Sequence, residues 1–145
     1  MTVYVLDASV AAKWFLSPKD EELTAEALGL LRKYSQREVS FMIPDLFWVE
    51  IASVFRKAIR LARFDEGSAR NAFTYLENCD LPAYSSTVLF HRAFEIAMRH
   101  NQSIYDSMYV ALAVQSQAPL ITADERLANS LAARFPVKWL GVSFS

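Results

Sequence analysis

Cysteine, histidine and glycine are nearly absent from this sequence. Cys79 is the only cysteine, which removes intrachain disulfides, thiolate zinc sites and iron–sulfur clusters and suits a reducing compartment. The two histidines, His91 and His100, stand nine positions apart, too far for a paired-histidine helical metal motif. Gly29, Gly67 and Gly141 are the only glycines, so neither a Gly-rich phosphate loop nor a dinucleotide fingerprint can be assembled. A dominant charge is missing too: 15 Lys and Arg stand against 16 Asp and Glu, a net charge of −1. That balance argues against broad electrostatic binding of nucleic acid and leaves only a local patch available. No apolar run approaches the roughly 20 residues of a spanning helix. Asp7 interrupts the N-terminus before a signal-peptide core can form. The expectation is a soluble, cytoplasmic chain with no membrane partner.

What remains is apolar mass and carboxylates. The chain has 145 residues, 53% of them hydrophobic, far from a disordered composition. A chain of this size buries roughly 70% of the surface its unfolded form exposes, so it needs no covalent staples. With no linker, repeat or low-complexity tract, residues 1–145 are expected to form one domain.

Hydrophobic patterning alternates between two periods. Val3–Leu6 is a short apolar run that reads as a strand buried on both faces. Further strands are expected at Val39–Ile43, Pro119–Thr122 and Val137–Leu140, with a weaker one near Leu81–Ser85. Helices fall between them. A short one starts at Ala8 or Ser9, and a second carries Leu23, Ala27, Leu30, Leu31 and Tyr34. A third runs from about Asp45 to Ala62 with Phe47, Ile51, Val54, Ala58 and Leu61 on its apolar face. Asp65 caps a fourth, and Ser86 or Thr87 a fifth through Phe90, Phe94 and Met98. Ser103 caps a sixth, and Ala123 or Asp124 opens a seventh. Strands alternating with helices, without hairpin signals, indicate an α/β fold with a mainly parallel sheet of four to five strands and about seven helices. In such sheets the functional crevice lies beyond the carboxyl ends of the strands.

Asp7 and Asp124 both fall at such strand ends. Each could be no more than a helix N-cap, a position Asp favours. Glu50 and Asp106 are harder to place as scaffolding, because each lies inside a helix beside apolar neighbours. A carboxylate facing a core is costly unless it is paired or bound to a metal. Either each of these acids pairs with a buried Arg or Lys, or Asp7, Glu50, Asp106 and Asp124 converge on a hard divalent cation. Mg²⁺ and Mn²⁺ prefer such oxygen ligands and support phosphodiester hydrolysis by activating water and stabilising the leaving oxygen.

Four segments resemble the PIN-domain nucleases, in the order that family shows them. Leu6-Asp7-Ala8-Ser9-Val10-Ala11-Ala12-Lys13-Trp14-Phe15 is similar to the family's opening. Val49-Glu50-Ile51-Ala52-Ser53-Val54 resembles its second-acid segment, and Ser103–Ala113, with Asp106, its third. Leu120-Ile121-Thr122-Ala123-Asp124-Glu125-Arg126-Leu127 resembles the fourth. More narrowly, these segments are similar to the toxin component of VapBC-type toxin–antitoxin modules. The resemblance implies an α/β/α fold and Mg²⁺- or Mn²⁺-dependent endonuclease action on RNA, leaving 5′-phosphate and 3′-hydroxyl ends. It implies Asp7, Glu50, Asp106 and Asp124 as catalytic metal ligands, with Ser9 and Thr122 as nearby hydroxyls. It also implies a homodimer and an antitoxin whose segment occupies the cleft.

A neutral chain needs local basic surface to hold RNA. Arg56, Arg60 and Arg63 are spaced i, i+4, i+7 after Glu50, so they can share a helical stripe. Lys57 falls two turns from Glu50 on its face, and Lys57 or Lys13 is expected near the scissile phosphate. A solvated basic face explains the stripe equally well. The 10 Phe, 6 Tyr and 3 Trp exceed what one small core needs, so some are expected at a dimer face or a partner groove. The competing readings are a PIN-like RNA or protein adaptor without turnover, and a receiver or phosphatase domain. Ser at position 9 fits the latter two poorly, since the phosphatases want a second Asp there.

Overall fold

The structure, a computed structural model, describes residues 1–142. The first half of the chain runs β1 (Thr2–Leu6), α1 (Ala8–Ala12), α2 (Thr24–Ser35), β2 (Val39–Pro44), α3 (Phe47–Arg60) and α4 (Glu66–Glu77). The second half runs β3 (Ala83–Tyr84), α5 (Ser86–His100), α6 (Ile104–Ser116), β4 (Leu120–Thr122), α7 (Glu125–Leu131) and β5 (Val137–Trp139). All strand pairs are parallel, in the order β3-β2-β1-β4-β5. The expected parallel α/β architecture is therefore present, with a strand at each anticipated segment.

Alternation along the strands separates two cores. Tyr4 and Leu6 of β1, Phe41 and Ile43 of β2 and Ile121 of β4 face α1, α2, α3 and α4. Val5 and Leu120 face the opposite way, toward α5, α6 and α7. Both faces of β1 are covered, which is why its sequence is continuously apolar. Helix α6 is buried all round from Ser107 to Ala113, as a helix apolar on every side must be.

The strand order reverses at β1, between β2 on one side and β4 on the other. This is a topological switch point, and a crevice opens there beyond the strand ends. Backbone pairing aligns Leu6 with Ile121, so Asp7 and Thr122 leave the sheet side by side.

Three local expectations are corrected. Helix α3 ends at Arg60, because Ala62 turns left-handed (φ 57°). The Arg63 amide donates to the Ala58 carbonyl and the Ala62 amide to that of Ile59, the paired bonds of a Schellman terminus. Leu61 is therefore exposed, and Phe55 takes the core place expected of it. Helix α5 is capped by Ser85, whose side chain accepts from the Thr87 amide, rather than by Ser86 or Thr87. Its core face is Leu89, Ala93, Ile96 and Ala97. Phe90, Phe94 and Met98 point outward, with 57% of Phe94 and 70% of Met98 exposed.

Candidate active site

The crevice at the switch point is lined by Asp7, Ser9, Glu50, Asp106 and Asp124, with Val49, Val54 and Tyr105 as apolar walls. Each acid arrives from a different element. Asp7 follows β1 and caps α1, its Oδ1 accepting from the Ser9 amide at 3.3 Å. Asp124 follows β4 and caps α7, accepting from the Leu127 amide at 3.1 Å. Capping and facing the crevice are thus one geometry: a strand end that turns directly into a helix aims its cap at the switch point. Glu50 lies in the first turn of α3. Asp106 lies in the first turn of α6, its amide donating to Ser103 Oγ at 3.0 Å.

Hydroxyl groups tie the two strand ends together. Thr122 Oγ1 donates to Asp7 Oδ2 at 2.7 Å and accepts from the Asp124 amide at 3.1 Å. Ser9 Oγ accepts from the Ala123 amide at 3.2 Å. Ser9 and Thr122 therefore hold the loops that carry Asp7 and Asp124 in register, and Thr122 fixes one oxygen of Asp7.

The electrostatics of three of the four acids are unfavourable as they stand. Burial pushes the Asp7 carboxyl up to about 6; hydrogen bonds from Thr122 and Ser9 oppose that rise, and the Asp106 charge adds to it. Burial pushes Glu50 up to about 7; Tyr109 opposes, and the charges of Asp7 and Asp106 add to the rise. Asp106 is raised by burial, opposed by Ser103 and assisted by Asp124. The Tyr109 hydroxyl lies by Asp7 and Glu50 and is held strongly protonated by burial and by those charges. Tyr109 Oη and Glu50 Oε1 are both buried, and although close enough to influence each other they form no hydrogen bond of good geometry. Each such orphan costs about 1–3 kcal/mol.

Pairing with buried cations, the alternative left open above, does not occur among the described residues. The ion pairs among the described residues are Lys13–Glu21, Arg63–Asp20, Arg70–Glu66 and Arg99–Glu95. None includes an acid of the crevice. Four mutually repelling carboxylates without a cation, one with a buried unpartnered oxygen, fit a hard divalent ion by donor chemistry. Among the described residues no three His, Cys, Asp or Glu side chains already stand close enough to hold one ion.

The basic residues are distributed differently from the expected stripe. Lys13 is buried and paired with Glu21 at 3.1 Å. Arg63 lies past the end of α3 and faces Asp20 at 3.7 Å. Lys57 lines a separate groove with Asp20, Glu21 and Arg63, which meets the crevice at Val54. Arg56 lines a shallow depression against α4, beside Glu66 and Arg70. Arg60 is exposed at the last turn of α3. Tyr109 carries a site contribution that spacing alone did not single out, although its place one turn after Asp106 on the same face was a usable signal.

A parallel sheet with a carboxylate crevice at its switch point defines the class, and sequence comparison agrees with it. The chain belongs to the PIN domain family, whose profile matches residues 4–130. It is 36% identical to Ribonuclease VapC9 of Mycobacterium tuberculosis over 95 residues, 66% of this chain and 73% of that protein. It is 30% identical to Ribonuclease VapC3 of Pyrobaculum aerophilum over 131 residues, 89% of this chain and 95% of that one. Among solved structures, PAE2754 from Pyrobaculum aerophilum superposes with a TM-score of 0.65 at 22% identity, covering 89% of this chain and 79% of that one. VapBC2 from Rickettsia felis, bound to a DNA fragment from its promoter, gives 0.61 at 12% identity, covering 95% and 98%. At these identities the structural likeness is one of fold.

Proposed function

We propose that this chain is a metal-dependent endoribonuclease, the toxin of a type II toxin–antitoxin module, acting as one domain in the cytoplasm. The observation that carries this reading is the convergence of four unpaired carboxylates at the switch point of a PIN-family sheet. Similarity to proteins named VapC ribonuclease supplies the substrate class.

Asp7, Glu50, Asp106 and Asp124 would hold Mg²⁺ or Mn²⁺. When bound, such an ion supplies Lewis acidity that polarises the phosphate and activates water. The protein's own part is positioning. Thr122 and Ser9 fix Asp7 and Asp124 against each other. Val49, Val54 and Tyr105 flank the acids with apolar surface. Exposed Arg56, Lys57 and Arg60 on α3 are available to phosphates further along the strand.

Two partners complete the reading. A cognate antitoxin is expected to cover the crevice. A second copy is expected on the outer face of α5, where Val88, Phe90, Phe94 and Met98 leave an apolar surface open to solvent. Phe94→Glu should convert a dimer to a monomer in sedimentation.

The direct test is cleavage of structured RNA by the purified protein with Mg²⁺ or Mn²⁺, with chelator, and beside Asp7→Asn. Cleavage only with metal and only with Asp7 supports the reading. Cleavage that survives chelator or Asp7→Asn rejects the metal mechanism. RNA binding without turnover in the presence of Mn²⁺ returns the adaptor reading.

A further inference from the structure

Asp106 and Asp124 face two cavities. Besides the crevice they share with Asp7 and Glu50, they edge a second cleft of about 440 Å³ between the end of α5 and α7. That volume lies within the roughly 300–1,000 Å³ of small-ligand sites. The walls of the two differ. The crevice is flanked by Val49, Val54 and Tyr105. The second cleft is lined by His100, Asn101, Gln102, Arg126 and Ser130, with Leu127 its one apolar lining residue.

These groups are largely free to bind something. Arg126 makes no ion pair and Asn101 no side-chain hydrogen bond among the described residues. Gln102 Nε2 donates to the His100 carbonyl at 3.2 Å, which holds the amide in place and leaves Oε1 as an acceptor. The His100 ring stands edge-on to Phe135 at 5.0 Å, so its orientation is set by packing. The cleft therefore presents a guanidinium, two amides and an imidazole beside Asp106 and Asp124. Side-chain amides offer donors and acceptors together, as the edge of a nucleobase does. A guanidinium matches a phosphate. An apolar peptide would find almost no apolar contact there.

We propose that this cleft is the base-reading subsite for the nucleotide next to the scissile phosphate, with Asn101 and Gln102 contacting the base and Arg126 the adjoining phosphate. This rests on the ribonuclease reading. The crevice adjoins the Lys57 groove at Val54 and this cleft at Asp106 and Asp124, so a single RNA strand with one flank along α3 and a phosphate at the acids meets this cleft with its other flank. Unstacked bases of single strands are what proteins read in RNA. Tyr105, next to Asp106 in the crevice wall, is 64% exposed and can stack a base.

The test is a nuclear magnetic resonance titration of Asp7→Asn, which leaves the RNA intact, with a short single-stranded RNA of mixed sequence and Mg²⁺. Wild-type protein with chelator replaces it if the variant does not fold. The side-chain amide signals of Asn101 and Gln102 and the Arg126 Nε signal should shift together with those of Ser53 and Tyr105 in the crevice. Shifts in the crevice alone overturn the subsite and leave the ribonuclease standing. Shifts in neither reject RNA binding and the subsite with it. In a second measurement, the ends produced from random-sequence RNA are mapped. Asn101→Ala with Gln102→Ala should flatten a base preference on one side of the cut, while Arg126→Ala raises KM about tenfold for all sequences. An unchanged preference in the double variant contradicts the assignment.

Discussion

Two neighbouring depressions meet at Val54 and treat carboxylates in opposite ways. In the groove beside α1 and α3, Glu21 is joined to the buried Lys13 and Asp20 faces Arg63. In the crevice, Asp7, Glu50, Asp106 and Asp124 have no cation at all among the described residues. Arg and Lys are not scarce nearby, since Lys57, Arg56 and Arg60 lie on the same helix as Glu50. The fold pairs its acids with cations in the groove and sets them against one another in the crevice. Unpaired acids thus mark function more clearly than acids as such.

The largest expected effect separates the two places by activity. Asp7→Asn or Glu50→Gln should lower the initial rate of RNA cleavage by at least about a thousandfold, as expected when several kcal/mol of ion-mediated stabilisation are lost. Next comes the paired groove. Glu21→Gln leaves the Lys13 ammonium, whose side chain is 10% exposed, without its partner. A loss of about 2–3 kcal/mol in urea unfolding is expected, below the roughly 3–5 kcal/mol of a fully buried pair because the Glu21 side chain is 26% exposed. A loss within error would erase the contrast.

In the crevice the same kind of change should act in the opposite direction. Removing the Asp7 charge from the metal-free protein at pH 7.5 should stabilise it by about 1–3 kcal/mol in chemical unfolding. The sign follows from linkage. The folded carboxyl titrates at about 6 against an ordinary 3.8, so between those values the folded state binds the extra proton. Metal-free wild type should therefore lose stability as pH rises from about 4 to 7, with Glu50 extending the window to about 7. The gain from Asp7→Asn should vanish near pH 4. The smallest effect is Arg63→Ala: its pair with Asp20 spans 3.7 Å with both side chains well exposed, so less than about 0.5 kcal/mol is expected.

Much of this was legible in the amino-acid order. Continuous apolar runs located the strands, and Asp7 and Asp124 could be placed at the crevice because a strand end in a parallel sheet has a defined place. Helix faces were less legible. In α5, Phe90, Phe94 and Met98 recur with helical spacing, but so do Leu89, Ala93, Ile96 and Ala97, which face the core. Periodicity cannot choose between two apolar stripes, and here the smaller residues pack against α6 while the larger ones face out. The basic stripe loses Arg63 for another reason. A three-residue spacing means one face only while the helix lasts, and the Schellman turn at Ala62 ends it before Arg63. The capture of Lys13 by Glu21 depends on the path of the chain between α1 and α2, which no local pattern encodes. The polar cleft beside Asp106 gathers residues from the end of α5 and from α7 that only the tertiary fold brings together.

The central claim is that the crevice carboxylates are left unpaired for a divalent cation. A Mn²⁺ titration followed by thermal unfolding tests it most directly. At pH 7.5 Mn²⁺ should raise the melting temperature of the wild type by several degrees. The rise should shrink at pH 5, where Asp7 and Glu50 hold protons that compete with the ion. Asp7→Asn combined with Asp106→Asn should show no rise at either pH. No stabilisation of the wild type at pH 7.5, or an equal rise in the double variant, would contradict the claim.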